Sequence, residues 1–365
     1  MGFSSWNHFG MGVSAPLLLD VADAFVSTGL RSAGYVYINS DDGWLDKNRT
    51  GGATGLLRPS ATFTNASDGI KAVADALHAK GFKFGIYLAA GESTCGNRAG
   101  TLYHEFADAK QIAEAGVDYL KYDDCGEANI QSYAKYGVMQ DALAAAYASR
   151  GGIDYYSYEP FQVYESHAVE EMSWTASVGA LWRTGGDIRP LWRSIMANAR
   201  ANNKWAPNAR PGHYNDADML EIGNGQLTLA EQRSHFALWC LMKSPLIIGS
   251  DVRSLPPASL ALLKNAALIA VNQDALAIQG TLRAAMHAGA LDAGGRRTPR
   301  ARRSVPRAAG RRSGSGSGSA FVGNCSFSAT PPPEQRWRVV PLRHGAGRSA
   351  SSGGSALVSA SAAGA

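Results

Sequence analysis

FKFGIYLA (82–89), YHEFADAKQIAEAG (103–116) and VDYLKYDD (117–124) follow one another as a run rich in β-branched and aromatic residues, a stretch with helical apolar spacing, and a second β-prone run. This reads as strand, helix, strand: one complete βα unit and the start of the next. The rhythm continues outward in both directions. YVYIN (35–39) precedes it, and IDYYSY (153–158), ALWR (180–183) and PLIIGS (245–250) follow. Helical spacing recurs in LLLDVADAFVSTG (17–29), GIKAVADALHAKG (69–81) and SLALLKNAALIAV (259–271). With FSSWN (3–7) and GHYNDADML (212–220) the strand count reaches eight. Eight such units close naturally as an α/β (β/α)8 TIM barrel over 1–281. An open doubly wound sheet usually has fewer units and a phosphate-loop glycine pattern after its first strand.

Charge divides the chain at the same place. The net charge of +5 over 365 residues hides two opposite parts. Residues 282–365 hold 13 Arg, no Lys and only Asp292 and Glu334 as acids, a net +11. Residues 1–281 hold 22 basic and 28 acidic residues, a net −6. The tail is of low complexity, with RRTPRARRSVPRAAGRR (296–312) and SGSGSGS (313–319), and disorder is expected there. QRWRVV (335–340) is its one candidate strand. A nucleic-acid partner would call for a folded reader or aromatics interleaved with the arginines, and the Arg-rich run has no aromatic. No apolar run approaches the ~18 residues that a membrane helix needs. MGFSSWNHFG lacks the basic and apolar regions of a secretory signal, so an incomplete N-terminus is expected.

Acidic residues mark the strand ends. Asp41 and Asp42 follow YVYIN, Asp123 and Asp124 close YLKYDD, Glu159 follows YYSY, Asp187 follows LWRTGG, and Asp216 and Asp218 lie in YNDAD. In a barrel all these ends open on one mouth, where catalytic groups gather. Any single Asp after a strand serves equally well as a helix N-cap or a turn residue. Five strand ends in succession point instead to a carboxylate-rich site. Four scattered cysteines form no CxxC pair and HExxH is absent, so no metal is expected. Trp6 and Trp44 favour a sugar, whose apolar C–H face packs on an indole while carboxylates accept its hydroxyls. Glycoside hydrolysis needs two carboxyl groups across the anomeric carbon. Spacing alone leaves open which two.

MGFSSWNHFG, YVYINSDDGW, KFGIYLAAGESTCGNRAG, GVDYLKYDDC, LWRTGGDI, NDADMLEIGN, LWCLMKSPLIIGSDVR and AVNQDALAIQG stand in the order found in glycoside hydrolase family 27. The chain resembles the α-galactosidases (melibiases) of that family, plant and algal members above all. The resemblance implies a retaining hydrolase without a cofactor, acting on terminal α-D-galactose of oligosaccharides, galactolipids or galactomannans. It implies Asp123 as nucleophile and Asp187 as acid/base, the latter with its pKa raised by burial near Asp123. Lys121, two residues before Asp123 on a strand, would share its side of the strand and keep it ionised. Trp6, Asp41, Asp42, Glu159, Arg183, Asp218 and Met219 are the substrate contacts that it implies, and Cys95–Cys125 a disulfide. A second disulfide of the family is replaced at both ends, by Met11 and Gly43, and Cys240 reads as a buried thiol. Family members carry a C-terminal antiparallel β-domain, which here is missing or replaced by the low-complexity tail. Their usual place in the secretory pathway is the expected location. Tyr158-Glu159-Pro160 departs from the family pattern and keeps α-N-acetylgalactosaminidase and β-L-arabinopyranosidase activities open. A catalytically silent carbohydrate-binding barrel is the further alternative.

Overall fold

The computed structural model describes residues 1–52, 55–64, 69–126, 129–148, 162–163, 174–285 and 324–327. Two compact units divide the chain, Met1–Gln279 and Gly280–Ala365. The first contains strands β1 (Gly2–Ser4), β2 (Tyr37–Asn39), β3 (Lys83–Ala89), β4 (Tyr119–Asp123), β5 (Gln162–Val163), β6 (Leu181–Arg183), β7 (Tyr214–Asp216) and β8 (Ile247–Ile248). Every ladder is parallel, in the order β7-β6-β5-β4-β3-β2-β1-β8. Leu220, just past β7, closes the ring on β8. Its N–H donates to the Ile247 carbonyl at 2.7 Å, and its carbonyl accepts from Gly249 N–H at 2.9 Å. A closed (β/α)8 TIM barrel results, as the eightfold rhythm of the sequence implies.

Helices pack outside by their apolar stripes. In Ala15–Ser27, Ser14 caps the first turn, and Leu18, Val21, Ala22 and Phe25 are buried at helical spacing. Phe25 meets the rings of Phe3, Tyr35 and Phe82 edge-on, which ties this helix to the sheet. Lumen crowding explains a glycine inside β3. A Cβ on Gly85 would run into the side chains of Asn39 and Tyr119, its register neighbours on β2 and β4.

Three elements differ from the sequence reading. The fifth strand slot is filled by Gln162–Val163, whereas IDYYSY (153–158) lies outside the described residues. Lateral pairing with β4 and β6 holds Gln162–Val163 in that slot. The helical pattern over 259–271 is two helices, Pro257–Leu263 and Ala266–Asn272. Asn265 breaks it by capping the second, its side chain accepting from Leu268 N–H at 3.0 Å. In the second unit, β9 (Thr281–Ala285) and β10 (Asn324–Phe327) pair in parallel, although composition offered only QRWRVV, which lies outside the described residues.

Arg49 and Asp108 form a buried, bidentate ion pair at 2.7 and 2.6 Å, and Arg49 also donates to the Gly100 carbonyl at 2.7 Å. This staples the loop after β2 to the helix Glu105–Glu114. Burial pushes the Asp108 pKa up even with the guanidinium beside it. Arg49→Ala strands that carboxylate and is expected to cost about 3–5 kcal/mol, read as a lower urea midpoint at unchanged slope.

Candidate active site

Parallel register places the chemistry in one layer. Tyr87 on β3 stands beside Lys121 on β4, and Ala89 beside Asp123. Lys121 and Asp123, two apart, share a side of their strand. At the C-terminal mouth one pocket is lined by Trp6, Asn7, Asp41, Asp42, Tyr87, Cys95, Lys121, Asp123, Arg183, Asp187, Asp218 and Met219.

Asp123 is buried at the end of β4. Its Oδ2 accepts from the Tyr87 hydroxyl at 2.9 Å, and its Oδ1 from Asp124 N–H at 2.9 Å. Burial raises its pKa to about 6, opposed by the Lys121 charge and the Tyr87 hydrogen bond. Lys121 bonds directly to Asp41, at 2.7 Å, and acts on Asp123 through its field. Burial alone would lower the Lys121 pKa, but Asp41 and Asp123 outweigh it, so it is raised and the ammonium stays charged.

Asp41 and Asp42 are held rigidly. Asp41 Oδ2 accepts from Ser4 as well as Lys121, and its Oδ1 accepts from Asp42 N–H. Asp42 accepts from Gly43 N–H, Thr94 Oγ1 and Gly96 N–H at 2.8, 3.1 and 2.6 Å. Arg183, on β6, pairs with Asp218 at 2.8 Å and with Asp187 at 3.3 Å. Asp218 has φ +79°, an uncommon left-handed conformation that Asp tolerates better than most residues. The turn is locked by Asp216 Oδ1 accepting Asp218 N–H and by Asp218 Oδ2 accepting Ile188 N–H, both at 2.8 Å.

Asp187 departs from expectation: its side chain is 65% exposed and lies against Arg183. The loop Thr184–Asp187 carries it to the rim. Trp44 departs too. It is 1% exposed, donates to the Tyr87 carbonyl at 2.7 Å and packs on Phe63, so it supports the site from within the core. Asp124 bonds Ser132 and Lys135 at the start of the next helix, a structural duty. Glu159 lies outside the described residues. Sequence reading did not single out Tyr87, Thr94 or Asn7. Tyr87 carried a signal, since the paired register of two parallel strands puts it opposite Lys121.

Cys95 and Cys125 are disulfide-bonded with Cα atoms 5.1 Å apart, which ties the loops after β3 and β4 together. Cys95 Sγ lies 3.3 Å from Asp123 Oδ2, so the bridge forms part of the wall around that carboxylate. Among the described residues the one cluster of metal-ligating groups is Cys95, Asp123 and Cys125, and its sulfurs are spent on each other. Gly43, at φ +109°, packs on the backbone of Met11, where a Cβ would meet Cα and O at 3.0 Å. The two positions of the replaced disulfide therefore still adjoin. Cys240 is a free, buried thiol whose pKa burial raises. No helix among the described residues is long and apolar enough to cross a membrane.

Five carboxylates and two cations line this pocket, and both cations are already bonded to acids. Such a lining repels anions and offers acceptors to hydroxyl groups. Comparison with known proteins agrees with that chemistry. An alpha-galactosidase of Oryza sativa subsp. japonica is 44% identical over 282 residues, 77% of this chain and 64% of its own length. A putative alpha-galactosidase/melibiase from Bacteroides fragilis superimposes with a TM-score of 0.71 at 40% identity, over 78% of this chain and 62% of that one. The alpha-galactosidase of Saccharomyces cerevisiae, solved with raffinose, gives 0.66 at 34% identity, over 76% and 65%. The chain thus spans a little under two thirds of the length of these relatives. Its residues 7–274 match the family model Melibiase_2, described as Alpha galactosidase A. By that match, which runs from Asn7 to Asp274 and takes in every barrel strand after the first, the chain belongs to the Melibiase_2 family of glycoside hydrolase family 27.

Proposed function

We propose that the barrel is the catalytic unit of a retaining α-galactosidase that removes terminal α-D-galactose from oligosaccharides, galactolipids or galactomannans. The observation that carries this reading is one pocket holding a buried carboxylate, Asp123, and a rim carboxylate, Asp187, with the clamped pair Asp41 and Asp42 between the same walls. Asp123 attacks the anomeric carbon as the glycosidic C–O bond breaks, and Asp187 delivers a proton to the departing oxygen. In the second step Asp187 takes a proton from water, which displaces Asp123 and restores both groups. Lys121 and Tyr87 hold Asp123 toward its ionised form by charge and hydrogen bond. Asp41, Asp42 and Lys121 bind the galactose hydroxyls, Trp6 covers the apolar face, and Arg183, Asp218 and Met219 complete the wall. Glu159 is assigned to the 2-hydroxyl corner by family resemblance. Pairing the axial 4-hydroxyl explains selection against its epimer, which would leave buried acceptors without a donor. The raffinose on the yeast relative is a galactose-terminated sugar of this class. A disulfide beside the nucleophile suits the oxidising secretory pathway as location.

The test is hydrolysis of 4-nitrophenyl α-galactoside by the 365-residue chain, beside the α-N-acetylgalactosaminide and the β-L-arabinopyranoside. Preference for either of the latter two moves the substrate but keeps the mechanism. A folded chain silent on all three removes the hydrolase reading in favour of sugar binding alone.

A pH profile follows from Asp123. Attack needs the carboxylate, and burial places its pKa at about 6. Protonation therefore inactivates the free enzyme, and kcat/KM is expected to fall about tenfold per unit as pH drops below that value. An acid limb centred near the ordinary carboxylate pKa of about 4 would contradict the desolvated environment.

A further inference from the structure

Glu221 lies two residues past Met219, is 1% exposed, and has no part in the chemistry above. Its Oε1 accepts from Asn7 Nδ2 at 2.7 Å, and its Oε2 from Asn224 Nδ2 at 2.6 Å. Asn224 Nδ2 also donates to the Gly249 carbonyl at 3.0 Å, while its Oδ1 is 3.1 Å from His8 Nδ1. The backbone N–H of Glu221 donates to His235 Nε2 at 3.0 Å. One carboxylate thus joins the turn after β1, the loop after β7 and the residue that follows β8.

The turn it reaches cannot fix itself. Trp6–Phe9 is a single helical turn with no side-chain cap and no buried residue. A lone turn is costly to order, so an outside tether must set its place. Trp6 and Asn7 on that turn line the pocket, facing Met219 from the loop that carries Glu221.

Carboxylate chemistry is required at this position. As oriented, both partners present N–H donors, so residue 221 supplies two acceptors, one of which glutamine would replace with a donor. Asn224 is not free to turn over, because its amide also serves Gly249 and its oxygen faces His8. Burial, with Asp218 adding to it, raises the Glu221 pKa to about 7 against the two amide hydrogen bonds.

We propose that Glu221 is a positioning residue: its carboxylate holds the Trp6–Asn7 turn in register with the Met219 wall, and so sets sugar affinity without touching the sugar. The inference rests on the α-galactosidase reading above. In the full chain, Glu221→Gln is expected to raise KM for 4-nitrophenyl α-galactoside about tenfold, with kcat within about twofold. Should Glu221→Gln fail to fold, Glu221→Asp keeps both acceptors but withdraws them by one methylene, and KM should rise in the same way. Unchanged KM in every folded variant overturns the proposal, as does a kcat loss as large as the KM rise. If the unaltered chain hydrolyses none of the three glycosides, the functional reading has failed instead. Amide exchange over 6–10 then decides the tether: faster exchange in Glu221→Gln supports it, and unchanged exchange overturns it.

Discussion

Asp123→Ala is expected to leave a folded protein that hydrolyses 4-nitrophenyl α-galactoside at least a thousandfold more slowly, and added azide should restore turnover with β-galactosyl azide as product. Loss of three decades corresponds to roughly 4 kcal/mol of barrier. The fold should survive, because Asp123 is a buried carboxyl whose charge costs desolvation, and its removal leaves only the Tyr87 hydroxyl and Asp124 N–H to find new partners. Azide is small enough for the vacated space, and without the Asp123 charge the pocket repels an anion less. It attacks from the side where Asp123 stood, opposite the leaving group, so one displacement inverts the anomeric centre. Retained activity would remove Asp123 as nucleophile, and an α-configured azide would place the nucleophile on the wrong face. Asp124→Ala is the control. It breaks contacts to Ser132 and Lys135, so it should lower Tm more than it lowers rate.

Legibility of the site followed the physics of each element. Lys121 and Asp123 could be read as partners because a strand repeats every two residues and both fall within one apolar run. The closed barrel was legible because the strand-helix rhythm recurs with too many units for an ordinary open sheet. What escaped depends on three-dimensional pairing. Tyr87 becomes a neighbour of Asp123 only through register between two strands separated by a whole helix. Trp44 looked like a sugar platform because an indole beside an acidic strand end has the same composition whether it faces the mouth or the core. Its hydrogen bond to the Tyr87 carbonyl turns it inward. Asp187 was expected to be buried because it belongs with Asp123, but burial belongs to the loop, and Gly185-Gly186 carries that loop outward. Glu221 was hidden in a quoted motif, since nothing local says that, beside Asn224, its other partner lies on a turn more than two hundred residues away.

Asp187→Ala should separate substrates by leaving group. Nitrophenolate departs without help, so formation of the galactosyl-enzyme survives on 4-nitrophenyl α-galactoside, and the loss in kcat/KM is expected to stay near tenfold. The sucrose unit of raffinose must leave as an alkoxide unless an acid protonates it, and there the loss should reach about 10³–10⁴-fold. Asp187 is exposed and paired with Arg183 in the free enzyme. A sugar seated over it and against Asp123 would remove water from both carboxylates. Removal of the general base also slows the second step, so the variant should release a burst of nitrophenol and then stall. Azide should end that stall by attacking the galactosyl-enzyme from the face that Asp187 occupied. The product then forms by two displacements and is α-galactosyl azide, the opposite anomer to that expected from Asp123→Ala. Equal losses on both substrates would count against Asp187 as the acid, and the same azide anomer from both variants would mean that the two carboxylates do not stand on opposite faces of the sugar.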